Sequence, residues 1–160
     1  EEDEFIDKDI NIRDYLHEII SSFKEISKKE FVFNFDQDSN PKKISKSIEI
    51  VYGLRNFIGN ANKFAKNSIF INLKSDSEFT ELTVEDDGNG YPRDIISKIG
   101  EPYLKSNYSK DKSKEGLGLG LFIGKTLLEK NFASVNCRNS KTRSGAEVII
   151  RWKNKELFNI

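Results

Sequence analysis

The chain has 160 residues, a length that suits one domain and is short for two. Hydrophobic residues make up 36% and charged residues 32%, enough apolar material for a core, so wholesale disorder is excluded. The 26 basic and 26 acidic residues cancel, which removes the chain-wide electrostatic case for nucleic acid or an anionic membrane, and no apolar run reaches the length of a membrane span.

In chain order, Asn11 can cap a first helix that has Asp14 in its first turn. Ile12, Leu16, Ile19, Ile20, Phe23 and Ile26 recur at the helical period, giving a helix of about 16 residues that ends near Lys28 and Lys29. Phe31, Phe33 and Phe35 then alternate with Val32 and Asn34, as in a strand. Residues 37–43, with Asp38, Ser39, Asn40 and Pro41, read as a loop. A long helix is expected over 44–66, with Ile44, Ile48, Val51, Ile58, Ala61 and Ala65 on or near one face. Strands at 69–73 and 79–84 flank a polar turn, and Pro92 can open a short helix over 93–99. Residues 100–115 are polar, lysine-rich and aperiodic, which reads as a mobile loop. A helix over 119–130 and a hairpin of 133–138 with 146–152 complete the chain. Neighbouring strands joined by hairpins imply helices layered on one face of a mixed, mainly antiparallel sheet, an α+β sandwich.

Three segments carry chemistry. Gly116-Leu117-Gly118-Leu119-Gly120 precedes a helix, where glycines permit close backbone approach and the helix N-terminus presents unpaired N–H groups to phosphate. It is not a P-loop: Gly124-Lys125-Thr126 is present, but Leu119 stands where that motif needs glycine. Nor is it a dinucleotide fingerprint, because the glycines alternate and follow a polar loop rather than a strand. Asp86-Asp87-Gly88-Asn89-Gly90 ends a strand. A carboxylate aimed from it into a pocket would accept from an exocyclic amine and select adenine over guanine. Asn56, Asn60 and Lys63 share one face of the long helix, where an asparagine carbonyl can ligate Mg²⁺. Taken singly, each segment also has a plain reading: a flexible linker, an acidic turn, a solvated helix face.

In this order the three segments resemble the N, G1 and G2 boxes of the ATP-binding domain shared by sensor histidine kinases, gyrase, Hsp90 and MutL proteins. Gly100-Glu101-Pro102-Tyr103-Leu104-Lys105 is similar to the kinase F box, with Tyr103 in place of phenylalanine. The wording around Gly53 to Phe57, Gly100 to Tyr103 and Gly118 to Glu129 is similar to RegB/PrrB-type redox-responsive kinases. The resemblance covers about 11–152 and implies a Bergerat-type ATP-binding fold in a single domain over 1–160.

What the resemblance implies for the site is specific. Asp86 would bind adenine N6, Gly88 and Gly90 would shape the turn beside the base, and Phe64 would line the adenine pocket. Asn60 would ligate Mg²⁺, Asn56 would hydrogen-bond near the phosphates, and Lys63 would add positive charge. Gly116, Gly118 and Gly120 would offer N–H groups to the phosphates of ATP. Residues 100–115 would form the lid, with Lys105 at the γ-phosphate and Lys110, Lys112 and Lys114 as weaker candidates. Asn60, Lys63 and Lys105 would carry the catalysis. Asn56 also stands where hydrolysing members carry a glutamate, so ATP hydrolysis should be slow while transfer to another nucleophile stays open.

The acceptor implied is a histidine on a separate dimerisation domain of the same protein, with a response regulator downstream. His17 has no proline nearby and reads as a surface residue, and Cys137 as a structural thiol. One Cys cannot form an internal disulfide, which fits a reducing compartment. The lack of Met and the first residue Glu1 suggest a piece of a longer polypeptide, expected to be the cytoplasmic domain of a membrane-anchored bacterial sensor kinase. Two other functions stay open on the same fold: an anti-sigma-type serine kinase, and an ATP-dependent interaction module that transfers no phosphate.

Overall fold

The computed structural model describes residues 10–36, 43–44, 47–99 and 117–157. Among the described residues five strands form one sheet: β1 Glu30–Phe35, β2 Ser68–Ser75, β3 Phe79–Asp86, β4 Ser134–Asn139 and β5 Ala146–Lys153. Their spatial order is β1-β2-β3-β5-β4. The β2/β3, β3/β5 and β4/β5 pairs are antiparallel, as short connections allow. β1 and β2 are parallel because helix α2, Ile48–Phe64, intervenes and carries the chain back to the same end. The other helices are α1 Ile12–Lys24, α3 Arg93–Ile96, α4 Leu117–Lys130 and α5 Asn154–Leu157.

The two faces of the sheet differ as the alternation requires. One face presents Ile69, Ile71 and Leu73 from β2, Leu82 and Val84 from β3, and Val148, Ile150 and Trp152 from β5, all buried under the helices. The other face is polar. There the register partners Glu85 and Glu147 are each paired with an arginine, Glu85 with Arg143 at 3.8 Å and Glu147 with Arg138. A second helical layer on that face would strip water from these ion pairs, so the helices keep to one side.

α2 and α4 pack antiparallel, Gly53 against Leu128 and Gly124 against Phe57. A Cβ at Gly53 would lie 2.7 Å from Leu128 Cγ, and one at Gly124 would lie 2.8 Å from the Phe57 ring. Both glycines therefore let the helices approach closely, a packing role distinct from any phosphate contact.

Element ends depart from expectation for local reasons. α1 stops at Lys24 because the chain tightens there: Ile26 and Ser27 both donate to the Phe23 carbonyl, and the Ser27 hydroxyl donates to Asn62 Oδ1 at 2.6 Å. Ile26 consequently leaves the apolar stripe and is 79% exposed. α2 starts at Ile48 rather than at 44, because Ser47 acts as N-cap and accepts from the Ile50 amide at 3.2 Å. Ile48 then faces outward, 74% exposed, and Ile50 and Leu54 take the buried face with Ile58 and Ala61. α3 is shorter than expected, α5 has no counterpart in the sequence reading, and α4 begins at Leu117, which places Gly118 and Gly120 inside the helix. Of the expected loop over 37–43, residues 37–42 lie outside the described residues, and Lys43 forms an isolated antiparallel bridge with Asn11.

Candidate functional site

On β3 the inward positions run Leu82, Val84, Asp86, so the alternation sets a carboxylate where an apolar side chain would continue the pattern. Asp86 is 3% exposed. Its Oδ1 accepts from the amides of Gly88 at 2.8 Å and Ala146 at 3.4 Å. Burial raises its pKa above the ordinary carboxylate value. The two amides and the Lys29 charge oppose that rise, and the neighbouring Asp87 adds to it.

Asp87, one residue on, points the other way. Its Oδ1 accepts from the amides of Lys66 at 2.8 Å, Asn67 at 3.0 Å and Ser68 at 3.2 Å, clipping the end of α2 to the start of β2. Its slight burial pushes the pKa up, but the amides of Asn67, Ser68 and Lys66 outweigh that and hold the carboxyl below the usual range. The turn itself demands glycine at two places. A Cβ at Gly88 would lie 2.2 Å from the Phe64 carbonyl oxygen, and Gly90 has φ +78°.

On α2, Asn56 and Asn60 face α4 one turn apart. A Cβ at Gly120 would sit 3.6 Å from Asn56 Oδ1 and 3.5 Å from Asn60 Nδ2, so the Asn pair and the second glycine segment meet. Asn56 Nδ2 donates to the Tyr52 carbonyl at 2.7 Å, leaving its oxygen toward Gly120. Asn60 Nδ2 is buried and has no hydrogen-bond partner among the described residues. Such an orphan is costly unless something else occupies the space beside it.

These elements line a pocket of about 480 Å³, the open space at its mouth included. α2 contributes Phe57, Asn60, Ala61 and Phe64, and β3 contributes Val84 and Asp86. Gly90, Tyr91 and Pro92 close one side, Ala146 and Val148 of β5 another. Asn60, Phe64, Asp86 and Gly90 thus come together in one apolar pocket with a buried acceptor. Asn56 and Gly120 lie against Asn60, and Gly118 is two residues earlier in α4. Lys63 is not part of the lining: it is exposed, with Nζ 5.3 Å from the Phe64 ring centroid. Lys105, Lys110, Lys112, Lys114, Gly116 and the expected lid over 100–115 lie outside the described residues.

Several contributors were not singled out from the sequence. A Cβ at Gly145 would come within 2.0 Å of the Asp86 carbonyl oxygen, so the β4–β5 turn can close on the acidic turn only with glycine there. Tyr91 was hidden because it follows a glycine turn and has no periodic context. Its hydroxyl lies beside the Cys137 thiol, whose pKa is pushed up to about 12, chiefly by burial and also by Glu129, against the pull of Tyr91 and Lys125. A thiol so far from ionising is a poor nucleophile, in keeping with a structural role. His17 is exposed, edge-on to Phe33 at 4.7 Å between ring centroids.

Residues 45–156, well over half of the chain, match the family described as histidine kinase-, DNA gyrase B- and HSP90-like ATPases. The chain belongs to this ATPase family. Among its relatives, the sensor histidine kinase RegB of Cereibacter sphaeroides is 38% identical over 97 residues, 58% of this chain and 21% of RegB. The sensor protein RstB of Escherichia coli is 31% identical over 99 residues, 62% of this chain and 23% of RstB. The chain therefore spans about a fifth of the length of these relatives. The fold is that of the nucleotide-free catalytic domain of the histidine kinase ThkA, with a TM-score of 0.74 at 20% identity over 93% of this chain and 97% of that one. Full-length ShkA in complex with AMPPNP gives 0.72 at 19% identity over 90% of this chain and 30% of that one.

The pocket of this family member fits an adenine nucleotide on its own geometry: a buried acceptor among apolar walls suits a base with an exocyclic amine. For a metal, no group of three or more His, Cys, Asp or Glu converges among the described residues. A hard cation here would take Asn60 as its protein ligand and the rest of its oxygens from phosphates and water, the usual arrangement for Mg²⁺. The unpaired amide of Asn60 fits that use, since rotation of the amide by half a turn presents its carbonyl oxygen at the same place. No helix among the described residues is long and apolar enough to cross a membrane.

Proposed function

We propose that the chain is the catalytic, ATP-binding domain of a two-component sensor kinase, which binds Mg·ATP and presents the γ-phosphate to a histidine on a separate dimerisation domain. The observation that carries this reading is the convergence of the buried Asp86 carboxylate and the unpartnered Asn60 amide on one apolar pocket. Asp86 accepts from adenine N6, with Phe64 and Tyr91 against the base, and Gly88 and Gly90 keep the turn out of its way. Asn60 holds the metal, which when bound neutralises phosphate charge. Asn56 and the amides of Gly116, Gly118 and Gly120 bind the phosphates, and Lys63 and Lys105 lend positive charge.

In the reaction an imidazole nitrogen attacks the γ-phosphorus, the bond to the bridging oxygen breaks, and ADP leaves. Asn56, an amide whose Nδ2 already donates to the Tyr52 carbonyl, offers water no general base, so the nucleotide waits for the histidine rather than being hydrolysed. The whole domain, residues 1–160 with a lid over 100–115, acts within a longer, membrane-anchored cytoplasmic kinase that passes the phosphoryl group to a response regulator.

Incubation with γ-labelled ATP tests the reading. Label should be absent from the chain alone and appear on a histidine when the parent's dimerisation domain is added. Label on His17, or none on the added acceptor, would contradict it.

A further inference from the structure

The tip of the β4–β5 hairpin touches the acidic turn at several points. Asn139 is the last residue of β4 and pairs in register with Ala146, which donates to Asp86. Its side chain takes both backbone groups of one residue on the turn: the Tyr91 amide donates to Asn139 Oδ1 at 2.6 Å, and Asn139 Nδ2 donates to the Tyr91 carbonyl at 3.1 Å. The amide therefore stands in for a neighbouring strand where the described residues form none. Two residues earlier on the same side of β4, Cys137 lies beside the Tyr91 hydroxyl, so one strand bonds the Tyr91 backbone and flanks its ring tip. Gly90 is shaped to allow this. A Cβ there would lie 2.7 Å from Asn139 Oδ1, at a residue whose φ is +78°. The tip is itself braced, since the Ser140 hydroxyl accepts from the amides of Thr142 and Arg143 and the Ser140 amide donates to the Gly145 carbonyl at 2.7 Å.

We propose that Asn139 is a positioning residue for the nucleotide: through its paired hydrogen bonds it fixes the Gly90–Tyr91 wall of the pocket at the distance the base requires. Asn139 does not line the cavity and is exposed, so its loss removes no core packing. Its effect passes through Tyr91, which is 8% exposed and forms that wall. The inference rests on the adenine-nucleotide reading of the pocket.

Calorimetric titration of the chain with ATP, adenosine and inorganic tripolyphosphate separates the two. Asn139→Ala should weaken ATP and adenosine by a common factor of about ten, as for one or two lost hydrogen bonds, with tripolyphosphate unchanged. Asn139→Asp keeps an acceptor for the Tyr91 amide but sets an oxygen against the Tyr91 carbonyl, so it should fall between wild type and alanine. Asn139→Gln can make both bonds and should recover part of the affinity. Equal affinities for ATP in the wild type and the alanine variant, or an equal loss for all three ligands, would overturn the positioning role. Failure of the wild type to bind ATP or adenosine would instead overturn the nucleotide reading.

Discussion

Asp86 and Asp87 are adjacent, yet their carboxyls are displaced in opposite directions, Asp86 upward by burial and Asp87 downward by three backbone amides that outweigh its slight burial. The divergence follows from strand geometry. Successive side chains leave opposite sides of the chain, so one enters the pocket and the other reaches the α2–β2 junction. One carboxylate is kept against the interest of stability, and its neighbour serves it.

For Asp86 the linkage has a definite sign. A folded pKa above the unfolded value means that the native state binds the proton more tightly, so this group's contribution to stability declines as pH rises from the unfolded value, about 3.9, through the raised folded one. Asp86→Asn keeps an oxygen for the amides of Gly88 and Ala146 and removes the buried charge. The variant should melt above the wild type at neutral pH, with the gap closing as pH falls toward about 4. A variant that melts lower at neutral pH would contradict the account.

Asp87 has the reverse sign: its contribution is present above the unfolded value and is lost as pH falls through the lowered folded one. Asp87→Ala should cost about 1 to 2 kcal/mol at neutral pH, comparable to the loss of a strong cap. ATP should still be preferred over GTP. Urea denaturation at neutral pH gives the first number and nucleotide titration the second.

Gly145 tests the closure of the hairpin on the acidic turn. With a Cβ 2.0 Å from a backbone carbonyl oxygen there is no side chain to swing aside, so Gly145→Ala should destabilise by about 2 to 3 kcal/mol. Thermal denaturation showing a wild-type midpoint would mean that the turn and hairpin are not held together as described.

Asn60 separates metal from base. Asn60→Ala should abolish most of the difference between ATP affinity in Mg²⁺ and in EDTA while leaving adenosine binding within about twofold, because its partner is at the phosphates. An undiminished Mg²⁺ dependence would place the ion on other residues.

Much of this was legible in the sequence because it is local. The Phe31, Phe33, Phe35 alternation gave β1, the i, i+4 spacing of Asn56 and Asn60 gave their common face, and the Asp-Asp-Gly-Asn-Gly run gave the turn at the end of β3. What stayed hidden depends on partners distant in sequence. Gly145 matters only because the Asp86 carbonyl oxygen occupies the space that a Cβ there would need, and Asn139 only because Tyr91 lies opposite. Helix ends were misjudged where side chains competed with the apolar period. Ser47 capped α2 three residues after Ile44, and Ser27 drew the chain away from α1 toward Asn62. Lys63 shares the helix face of Asn60 by spacing, but its long side chain lies by the Phe64 ring outside the cavity, which spacing cannot foresee.

The most direct test of the central claim is calorimetric titration of the chain with Mg·ATP and Mg·GTP, for the wild type and Asp86→Asn. ATP should bind at least tenfold more tightly than GTP to the wild type. The substitution should remove about 1.5 to 3 kcal/mol from ATP binding, the worth of a hydrogen bond to a charged acceptor, in a protein that remains folded. Equal affinity for the two nucleotides, or an unchanged ATP affinity in the folded variant, would contradict adenine recognition by Asp86 and with it the assignment of the pocket.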